Sequence, residues 1–561
     1  MIRGHLRSLL PAAADYAELP RSWRRDLLAG VTVGVVALPL ALGFGIASGL
    51  GAGAGLITAI VAGVLAGVFG GSHLQVSGPT GAMTVVLAPI VAEFGTAGVA
   101  LVALLAGLVL IGCAFARVGR FVNYLPWPVI EGFTVGIGLI IFLQQVPPAL
   151  GIEPGDAENT AARAAQALAD FGAISLPTLA VCAVTAMLIV LLPRLHRTLP
   201  ASLIAVAGVT VGVSLLDVDV ATIGAIPTSL PAPSLPAIDV GDASGLFGAV
   251  IAVAALAAVE SLLSARVADG MSDAQPHDPD RELFGQGIAN AGSALFGGMP
   301  ATGAIARTAV NVRSGARTRV SAIVHALLLL AVAVALAPLI AEIPLAALSA
   351  VLMVTAVHMI EFGSVSRILR STRGDALVLL ATATATVVFD LIVAVEVGIV
   401  LAGMIALRQV ALSASFEVDD LAGESVDPET EARLLGEHIV TYRIDGALFF
   451  GAAERFLMEL TDISDVDFVV LRLGRLRILD ATGAQALDEL IDHLRGRGII
   501  VLLACMTEHH RALLEQVGET DAICVPTIHE ALAAIERIKR GEPALPPAAA
   551  QSSDSPIAIP A

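Results

Sequence analysis

Two stretches of the sequence decide how the chain folds: QVSGPTGAMT, at Gln75–Thr84, and PATGAIART, at Pro300–Thr308. Both are rich in Gly, Pro, Ser, Thr and Ala, and both interrupt very apolar sequence. Backbone polar groups cannot remain unpaired in lipid, so irregular backbone at membrane depth is tolerated only where it lines a cavity. Two such interruptions at corresponding places in two halves of a chain are typical of a substrate site at the membrane midplane.

We interpret each stretch as the broken start of a short helix, with the two N-termini facing each other. A helix N-terminus carries unpaired N–H groups and the positive end of the helix dipole, so this arrangement favours an anion between the helices. The alternative is that both stretches are ordinary loops of flexible residues. The pairing of the stretches in two halves favours the anion site.

The composition is that of an integral membrane protein. Of the 561 residues, 56% are hydrophobic and 15% are charged, with a mean hydropathy of +0.84, whereas a soluble domain has about 25% charged residues. The net charge is −18 and no basic run is present, so no nucleic-acid partner is expected. The four cysteines have no metal-ligand spacing and no cofactor is expected, and the first 25 residues lack the apolar core of a cleavable signal peptide.

The apolar segments predict a polytopic α-helical membrane protein with fourteen spans in two inverted sets of seven. The first set is 27–50, 53–70, 77–92, 96–115, 126–150, 174–192 and 200–216. The second set is 245–268, 283–297, 303–315, 318–338, 340–360, 375–390 and 392–412. Segments 77–92 and 303–315 are too short to cross a bilayer, as half-helices should be.

The arginines support this arrangement, because basic residues collect in cytoplasmic loops. Arginine pairs and clusters follow the even-numbered spans, whereas the loop 217–244 holds four aspartates and no Lys or Arg. Only Arg163 breaks the pattern. Both termini are therefore predicted to be cytoplasmic in a protein of the plasma or inner membrane.

After the last span, short apolar strands alternate with amphipathic helices and predict a soluble α/β domain. Strands are expected at IVTYRI, FVVLRL, IIVLLA and AICV, and helices near 452–462, 483–496, 508–517 and 528–539. The predicted organisation is an N-terminal cytoplasmic segment (1–26), a transmembrane domain (27–412), a linker (413–438), the soluble domain (439–540) and a disordered tail (541–561).

Glu260 is the most informative single charge, since a carboxylate deep in a span is expensive and marks an ion or proton site. Ser261 and Ser264 lie beside it and one turn further on, so their hydroxyls could join the carboxylate on a cation. A purely structural hydrogen bond within the bundle is the alternative. Asp269 is nearer the cytoplasm and could be solvated.

Arg307 lies just inside the second half-helix, where a guanidinium adds a full charge and can orient an oxyanion. It could instead extend toward the cytoplasm. Glu131 is as consistent with a structural as with a functional role, and His325 and His358 are expected to be packed or hydrogen-bonded.

No hydrolase, kinase or P-loop motif is present, so an enzyme is not expected. In the soluble domain, Asp480 and Thr482 are expected in a strand-to-helix turn, where capping explains them fully. Phosphorylation of Thr482 is the alternative.

The sequence resembles the SulP anion permease family over about 26 to 540. The motifs that carry the resemblance are GVTVGVVALPLALGFGIASG, QVSGPTGAMTVV, AVESLLSARVADG, GAIARTAVNVRSGARTRVSAIVHAL and FFGAAERF followed by LRILDATG. The resemblance implies core and gate domains, a cytoplasmic STAS domain, a homodimer and elevator-like alternating access. The anion-binding residues that it implies are Thr80, Gly81 and Ala82 on the first half-helix and Ala304, Ala306 and Arg307 on the second.

Within the family, ALPLALGFGIASG and SGPTGAMTVV are similar to the sodium-dependent bicarbonate branch. That similarity implies a coupling-ion site at Glu260, Ser264 and Gly303. Two positions differ from the branch, since Glu260 replaces an aspartate and Ile305 stands where a threonine is expected. Glu260 could therefore carry a proton instead of binding sodium.

The main hypothesis is a secondary transporter of a small anion, with bicarbonate first and a sulfate or C4-dicarboxylate proton symporter as the alternative. An uncoupled anion channel or exchanger is a hypothesis of a different class, against which Glu260 argues. A third hypothesis is a membrane sensor that signals through the soluble domain. The two half-helices argue against it, because they are typical of a substrate site.

Overall fold

The computed structural model describes residues 7–120, 126–153, 160–196, 199–236, 243–272, 275–389, 391–412, 415–418, 438–449, 466–517 and 522–545. The chain divides into two compact units, Met1–Ala402 and Gly403–Ala561. The first unit is helical and apolar, and the second is built around a β-sheet.

Helices occupy every one of the predicted membrane segments. Those up to residue 216 are α1 (Leu19–Ala47), α2 (Ala52–Phe69), α3 (Gly81–Phe115), α4 (Trp127–Gln144), α5 (Val146–Leu150), α6 (Thr160–Ala169), α7 (Leu176–Leu195) and α8 (Ala201–Leu215). Those from residue 243 onward are α9 (Ala243–Met271), α10 (Pro279–Leu295), α11 (Ile305–Arg313), α12 (Val320–Ala341), α13 (Leu345–Met359), α14 (Phe362–Leu369), α15 (Arg373–Val388) and α16 (Leu391–Leu412).

Helix α3 contains both the first half-helix and the span after it. The two parts meet at Gly95, whose φ of 67° lies in the left-handed region and breaks the helix. In the described part of the chain, eight stretches are long and apolar enough to cross a membrane. The helical membrane fold is therefore confirmed, while the count of fourteen spans stays a prediction.

The two interrupted stretches lie against each other. Strand β1 (Ser77–Gly78) pairs antiparallel with β2 (Thr302–Gly303), so that Ser77 is opposite Gly303 and Gly78 is opposite Thr302. Each strand leads directly into the helix after it, α3 or α11. The antiparallel pairing is what two repeats of inverted orientation require.

The helices of this unit form two bundles. Helices α1–α3 and α9–α12 pack into a first bundle around β1 and β2, and α4, α7, α8, α13 and α15 pack into a second. Helices α3 and α10 approach closely at Gly107 and Gly287, where an added Cβ would lie 2.6 Å from the carbonyl oxygen of the other glycine. Small residues allow such close backbone packing between membrane helices.

An ion pair fastens the N-terminal segment to the first bundle. Arg281 donates two hydrogen bonds to Asp15, at 2.9 and 2.6 Å, and Arg319 lies 3.6 Å from the same carboxylate. Burial opposes ionisation of Asp15, but the bonds from Arg281 and from the Ala12 N–H, with the charge of Arg319, outweigh it and lower its pKa to about 2.

The second unit contains a five-stranded sheet in the order β3-β4-β5-β6-β7. The strands are β3 (Ser415–Val418), β4 (Ile439–Leu448), β5 (Phe468–Leu479), β6 (Ile500–Ala504) and β7 (Ile523–Val525), and all neighbours are parallel except β3 and β4. Helix α17 (Ala481–Gly496) packs on one face, with Val469 and Leu471 of β5. Helix α19 (Ile528–Lys539) packs on the other face, with Phe468 and Val470.

All four strands expected from the sequence are present, as are the helices expected at 483–496, 508–517 (α18, Glu508–Val517) and 528–539. The expected helix near 452–462 and most of the tail lie outside the described residues. One element was missed, because β3 lies in the segment assigned to the linker. Four residues are too few to show a clear alternation, and β3 is ordered as an edge strand by pairing with β4.

Candidate functional site

The starts of helices α3 and α11 form the centre of the site. Thr80 and Ala304 precede the two helices with extended backbone, and neither side chain caps its helix. Thr80, Gly81, Ala82 and Ala304 are all buried. The start of α3 and the residue that precedes α11 therefore lie in the interior of the bundle, where a helix N-terminus favours negative charge.

Glu260 joins the two stretches to helix α9. Its Oε2 accepts hydrogen bonds from the Thr80 hydroxyl, at 2.9 Å, and from the Thr302 hydroxyl, at 2.8 Å. The two threonine oxygens are 3.1 Å apart. Three oxygen atoms from three different elements thus lie together, with a carboxylate among them. Such a group can hold a proton or a hard cation.

The two serines of helix α9 contact the second stretch instead of the carboxylate. Ser261 Oγ accepts the Gly303 N–H at 2.9 Å, and Ser264 Oγ lies 3.0 Å from Thr308 Oγ1. The Thr308 hydroxyl also accepts the Val76 N–H, at 3.1 Å. The hydroxyls that bond Glu260 are therefore those of Thr80 and Thr302, and Ser264 holds helix α11 in place.

Arg307 lies inside the site and does not extend toward the cytoplasm. Its side chain is 2% exposed, and its Nη2 donates to the carbonyl oxygen of Pro79, just before the first half-helix. Its Nη1 is also buried and has no hydrogen-bond partner among the described residues. A buried N–H without a partner is costly, so it points to a ligand that the guanidinium can bind.

Two neighbouring positions differ from the rest of the expected site. Ile305 and Ala306 are exposed, whereas Ala304 and Arg307 on either side of them are buried. The first turn of α11 therefore presents only part of its surface to the interior. Ala306 can contribute its backbone N–H to the helix N-terminus, and its side chain is exposed.

A second buried carboxylate supports the first strand and was missed in the sequence. Glu282 is 1% exposed, and it accepts hydrogen bonds from the N–H groups of Gly71 and Ser72, at 2.8 and 3.1 Å. It also accepts bonds from the side-chain amides of Gln75, at 2.8 Å, and Gln286, at 2.9 Å. Four donors around one carboxylate fix the approach to β1. The available signal was the i, i+4 spacing of Glu282 and Gln286 on helix α10.

Most of the remaining polar residues singled out in the sequence have structural partners. Asp269 is 2.6 Å from the ring of His277, and Glu131 accepts from Ser364 at 2.6 Å. His325 is fully buried beside the Ala322 carbonyl. The others are exposed or cap a helix: His358 is exposed, Asp480 caps α17 through the Gly483 N–H at 2.8 Å, and Thr482 is exposed in the first turn.

No group of three or more His, Cys, Asp or Glu side chains that could hold a metal ion occurs in the described residues. A cation at Glu260 would therefore be bound by one carboxylate with hydroxyl oxygens. Such a group has fewer charged ligands than divalent cations usually take.

Comparisons with known proteins match most of the chain to two families. A model of the sulfate permease family matches residues 23–382, and a model of the STAS domain matches residues 434–533. The chain is 32% identical over 506 residues to the putative sulfate transporter YvdB of Bacillus subtilis, covering 89% of this chain and 94% of the relative. It is 33% identical over 517 residues to the bicarbonate transporter BicA of Synechocystis, covering 89% and 91%.

A solved structure has the same fold over nearly the full length. The murine anion transporter Slc26a9, in its inward-facing state, matches with a TM-score of 0.82 over 95% of both chains at 18% identity.

Proposed function

We propose that this chain, which belongs to the sulfate permease family of anion transporters and carries a STAS domain, is a secondary active transporter of bicarbonate. The anion moves together with a cation that neutralises Glu260. The observation that carries the proposal is the arrangement of Glu260 and Arg307 at the paired half-helices. Glu260 is bonded to both stretches, while Arg307 keeps one buried N–H without a partner among the described residues.

The coupling follows from the charges. With Glu260 ionised, its negative charge balances Arg307 and opposes a second anion in the same buried space. When a proton or sodium ion neutralises Glu260, the positive charge of Arg307 and the two helix N-termini is no longer balanced. An anion can then bind the Arg307 guanidinium and the N–H groups. Binding of the cation thus favours binding of the anion, as symport requires.

The charge of the site favours a small anion. One guanidinium and two helix starts suit a single negative charge, and a relative named as a bicarbonate transporter supports bicarbonate. A relative of almost equal identity is named as a putative sulfate transporter, which makes sulfate the second candidate. The transporter would act as a homodimer in the plasma or inner membrane, with cytoplasmic termini. The first helix bundle would carry the site across by elevator-like movement.

The experiment is uptake into proteoliposomes of labelled bicarbonate, sulfate, succinate and chloride, with imposed sodium or proton gradients. The parent protein should accumulate bicarbonate against its gradient. Glu260→Gln, which keeps the size and removes the charge, should lose accumulation while still exchanging anion for anion. Glu342→Gln makes the same change at an exposed position and should behave like the parent. Accumulation by Glu260→Gln equal to that of the parent would exclude the coupling role.

The cation is identified by a second variant. Thr302→Val keeps the shape of the side chain and removes the hydroxyl that lies 2.8 Å from the carboxylate. Because hard cations need oxygen ligands, a sodium-coupled protein should require more sodium after this change. A proton-coupled protein should remain independent of sodium, and its uptake should rise as the external pH falls. Transport of succinate alone, or downhill flux of chloride without coupling, would instead support the alternative functions.

A further inference from the structure

The carboxylate of Asp15 is the meeting point of two buried arginines. Asp15 lies in the short 3₁₀ helix Ala13–Tyr16, before the first long helix. Arg281, in the first turn of α10, donates two hydrogen bonds to it, and Arg319, which directly precedes α12, lies 3.6 Å away. The two arginines are 8% and 1% exposed. Because buried guanidinium groups repel each other, the carboxylate determines where both can lie.

Both arginines depend on Asp15 for their contacts. Within the described part of the chain, Asp15 accepts every hydrogen bond that the Arg281 side chain donates, and Arg281 Nε is buried without a partner. The Arg319 side chain donates one hydrogen bond, to the Gly70 carbonyl oxygen, and its Nε and Nη2 have no hydrogen-bond partner among the same residues. Loss of the Asp15 charge would therefore leave two buried cations free to move apart.

The two arginines hold the loop that leads to β1. Arg319 donates to the first carbonyl group of loop 70–72, and Glu282 accepts the next two backbone N–H groups of the loop, at 2.8 and 3.1 Å. Glu282 directly follows Arg281 in α10. A guanidinium and a carboxylate thus fix the loop together, and the position of each depends on an arginine that Asp15 holds.

The network continues from Glu282 to the first half-helix. The Gln286 side-chain amide donates to Glu282 at 2.9 Å and to the hydroxyl of Ser77 at 2.6 Å. Ser77 begins β1, which leads to the start of α3, and the carbonyl group of Pro79 between them accepts the bond from Arg307. A shift of α10 or of loop 70–72 therefore moves the residues that surround the proposed anion site.

We propose that Asp15 is a positioning residue for anion transport: its negative charge fixes Arg281 and Arg319, and through them β1 and the start of α3. The proposal rests on the proposed function at one point, the location of the anion site at the half-helices. A segment that only anchored the chain would affect stability alone, whereas a positioning segment also changes the affinity for the anion. Changes in such contact networks alter binding at a distance by about twofold to thirtyfold.

The test is uptake into proteoliposomes by the full chain, at a temperature at which thermal unfolding shows each variant to be folded. The probe is labelled bicarbonate or labelled sulfate, whichever the parent takes up. Asp15→Asn keeps the size and removes the charge, so it should raise the KM for the anion about threefold or more, with an unchanged maximal rate per folded protein. Asp15→Glu keeps the charge and should raise the KM by less. Addition of Arg281→Gln to Asp15→Asn should raise the KM little further, because both changes remove the same contact.

Glu131→Gln is the matched control. It removes the charge of a carboxylate on α4, in the second bundle, that accepts a hydrogen bond from Ser364 at 2.6 Å. It should leave the KM unchanged, whatever its effect on stability.

A KM for Asp15→Asn equal to that of the parent, or fully additive effects of Asp15→Asn and Arg281→Gln, would overturn the proposal. If Asp15→Asn does not fold, Arg281→Lys takes its place, since lysine keeps the charge but cannot form the paired bonds. A KM for that variant equal to the parent's would overturn the proposal equally. A raised KM for Asp15→Asn together with an unchanged KM for Arg307→Ala would support the positioning role and count against the proposed anion site.

Discussion

Gly303→Ala is the substitution whose effect the structure specifies most sharply. Gly303 lies in β2 with a backbone conformation that alanine can adopt, so any effect must come from space. A Cβ on Gly303 would lie 1.9 Å from Gln75 Nε2, 2.6 Å from Gln75 Cδ and 3.1 Å from Ser261 Cα. The Gln75 amide must therefore move away, or β2 must shift.

The cost has two parts. Overpacking of a full interior costs about 1–3 kcal/mol. Movement of Gln75 also breaks its 2.8 Å hydrogen bond to the Glu282 carboxylate, and a bond to a charged group is worth about 1.5–3 kcal/mol. We expect the free energy of unfolding to fall by about 3 kcal/mol or more, which lowers the Tm by about 3–6 °C for a unit of this size. Transport should fall as well, because a shift of β2 would move the adjacent Thr302, whose hydroxyl donates a hydrogen bond to Glu260.

The assay is thermal unfolding of the purified protein together with uptake at fixed protein amount. Gly112→Ala is the matched control, since a Cβ there meets no atom within 4 Å and alanine favours the helix. Gln75→Ala removes the side-chain amide that the new Cβ would meet. In the double variant, Gly303→Ala should therefore add little to the destabilisation that Gln75→Ala causes by itself. A Tm and uptake like those of the parent for Gly303→Ala alone, or fully additive costs in the double variant, would refute the packing argument.

Three further predictions follow from the same structure. Arg307→Ala should weaken anion binding about tenfold or more, and Thr80→Val should weaken it by less, as measured by the apparent affinity for uptake. If the folded Arg307→Ala protein has an unchanged affinity, Arg307 does not bind the anion. Asp15→Asn should lower the free energy of unfolding by about 2 kcal/mol at neutral pH, because the folded-state pKa of Asp15, about 2, lies below the ordinary value of 3.8. The difference in Tm between this variant and the parent should vanish as the pH falls from about 4 to 2. Residues 438–545 expressed alone should give a cooperative unfolding transition, and the membrane unit that lacks these residues should still bind the anion. A membrane unit that folds but does not bind the anion would contradict the second expectation.

The sequence by itself determined the positions of the membrane helices and of the two interruptions. Both depend on local properties, since a span is a long apolar run and a break is a cluster of Gly, Pro and small polar residues. The strands of the second unit were predicted for the same reason, because long alternating or apolar runs are visible without knowledge of their partners. Strand β3 was not, because four residues become a strand only through pairing with β4.

Only the tertiary structure decided which side chains meet. From the sequence, the neighbour of Glu260 was Ser264, one turn further along the same helix. In the fold, the carboxylate bonds Thr80 and Thr302, which are 180 and 42 positions away, and Ser264 contacts Thr308. Glu282 was missed because three of its four donors belong to a stretch more than 200 positions earlier. The pattern of one helix fixes which residues share its face, but the partners of that face depend on the packing of separate elements.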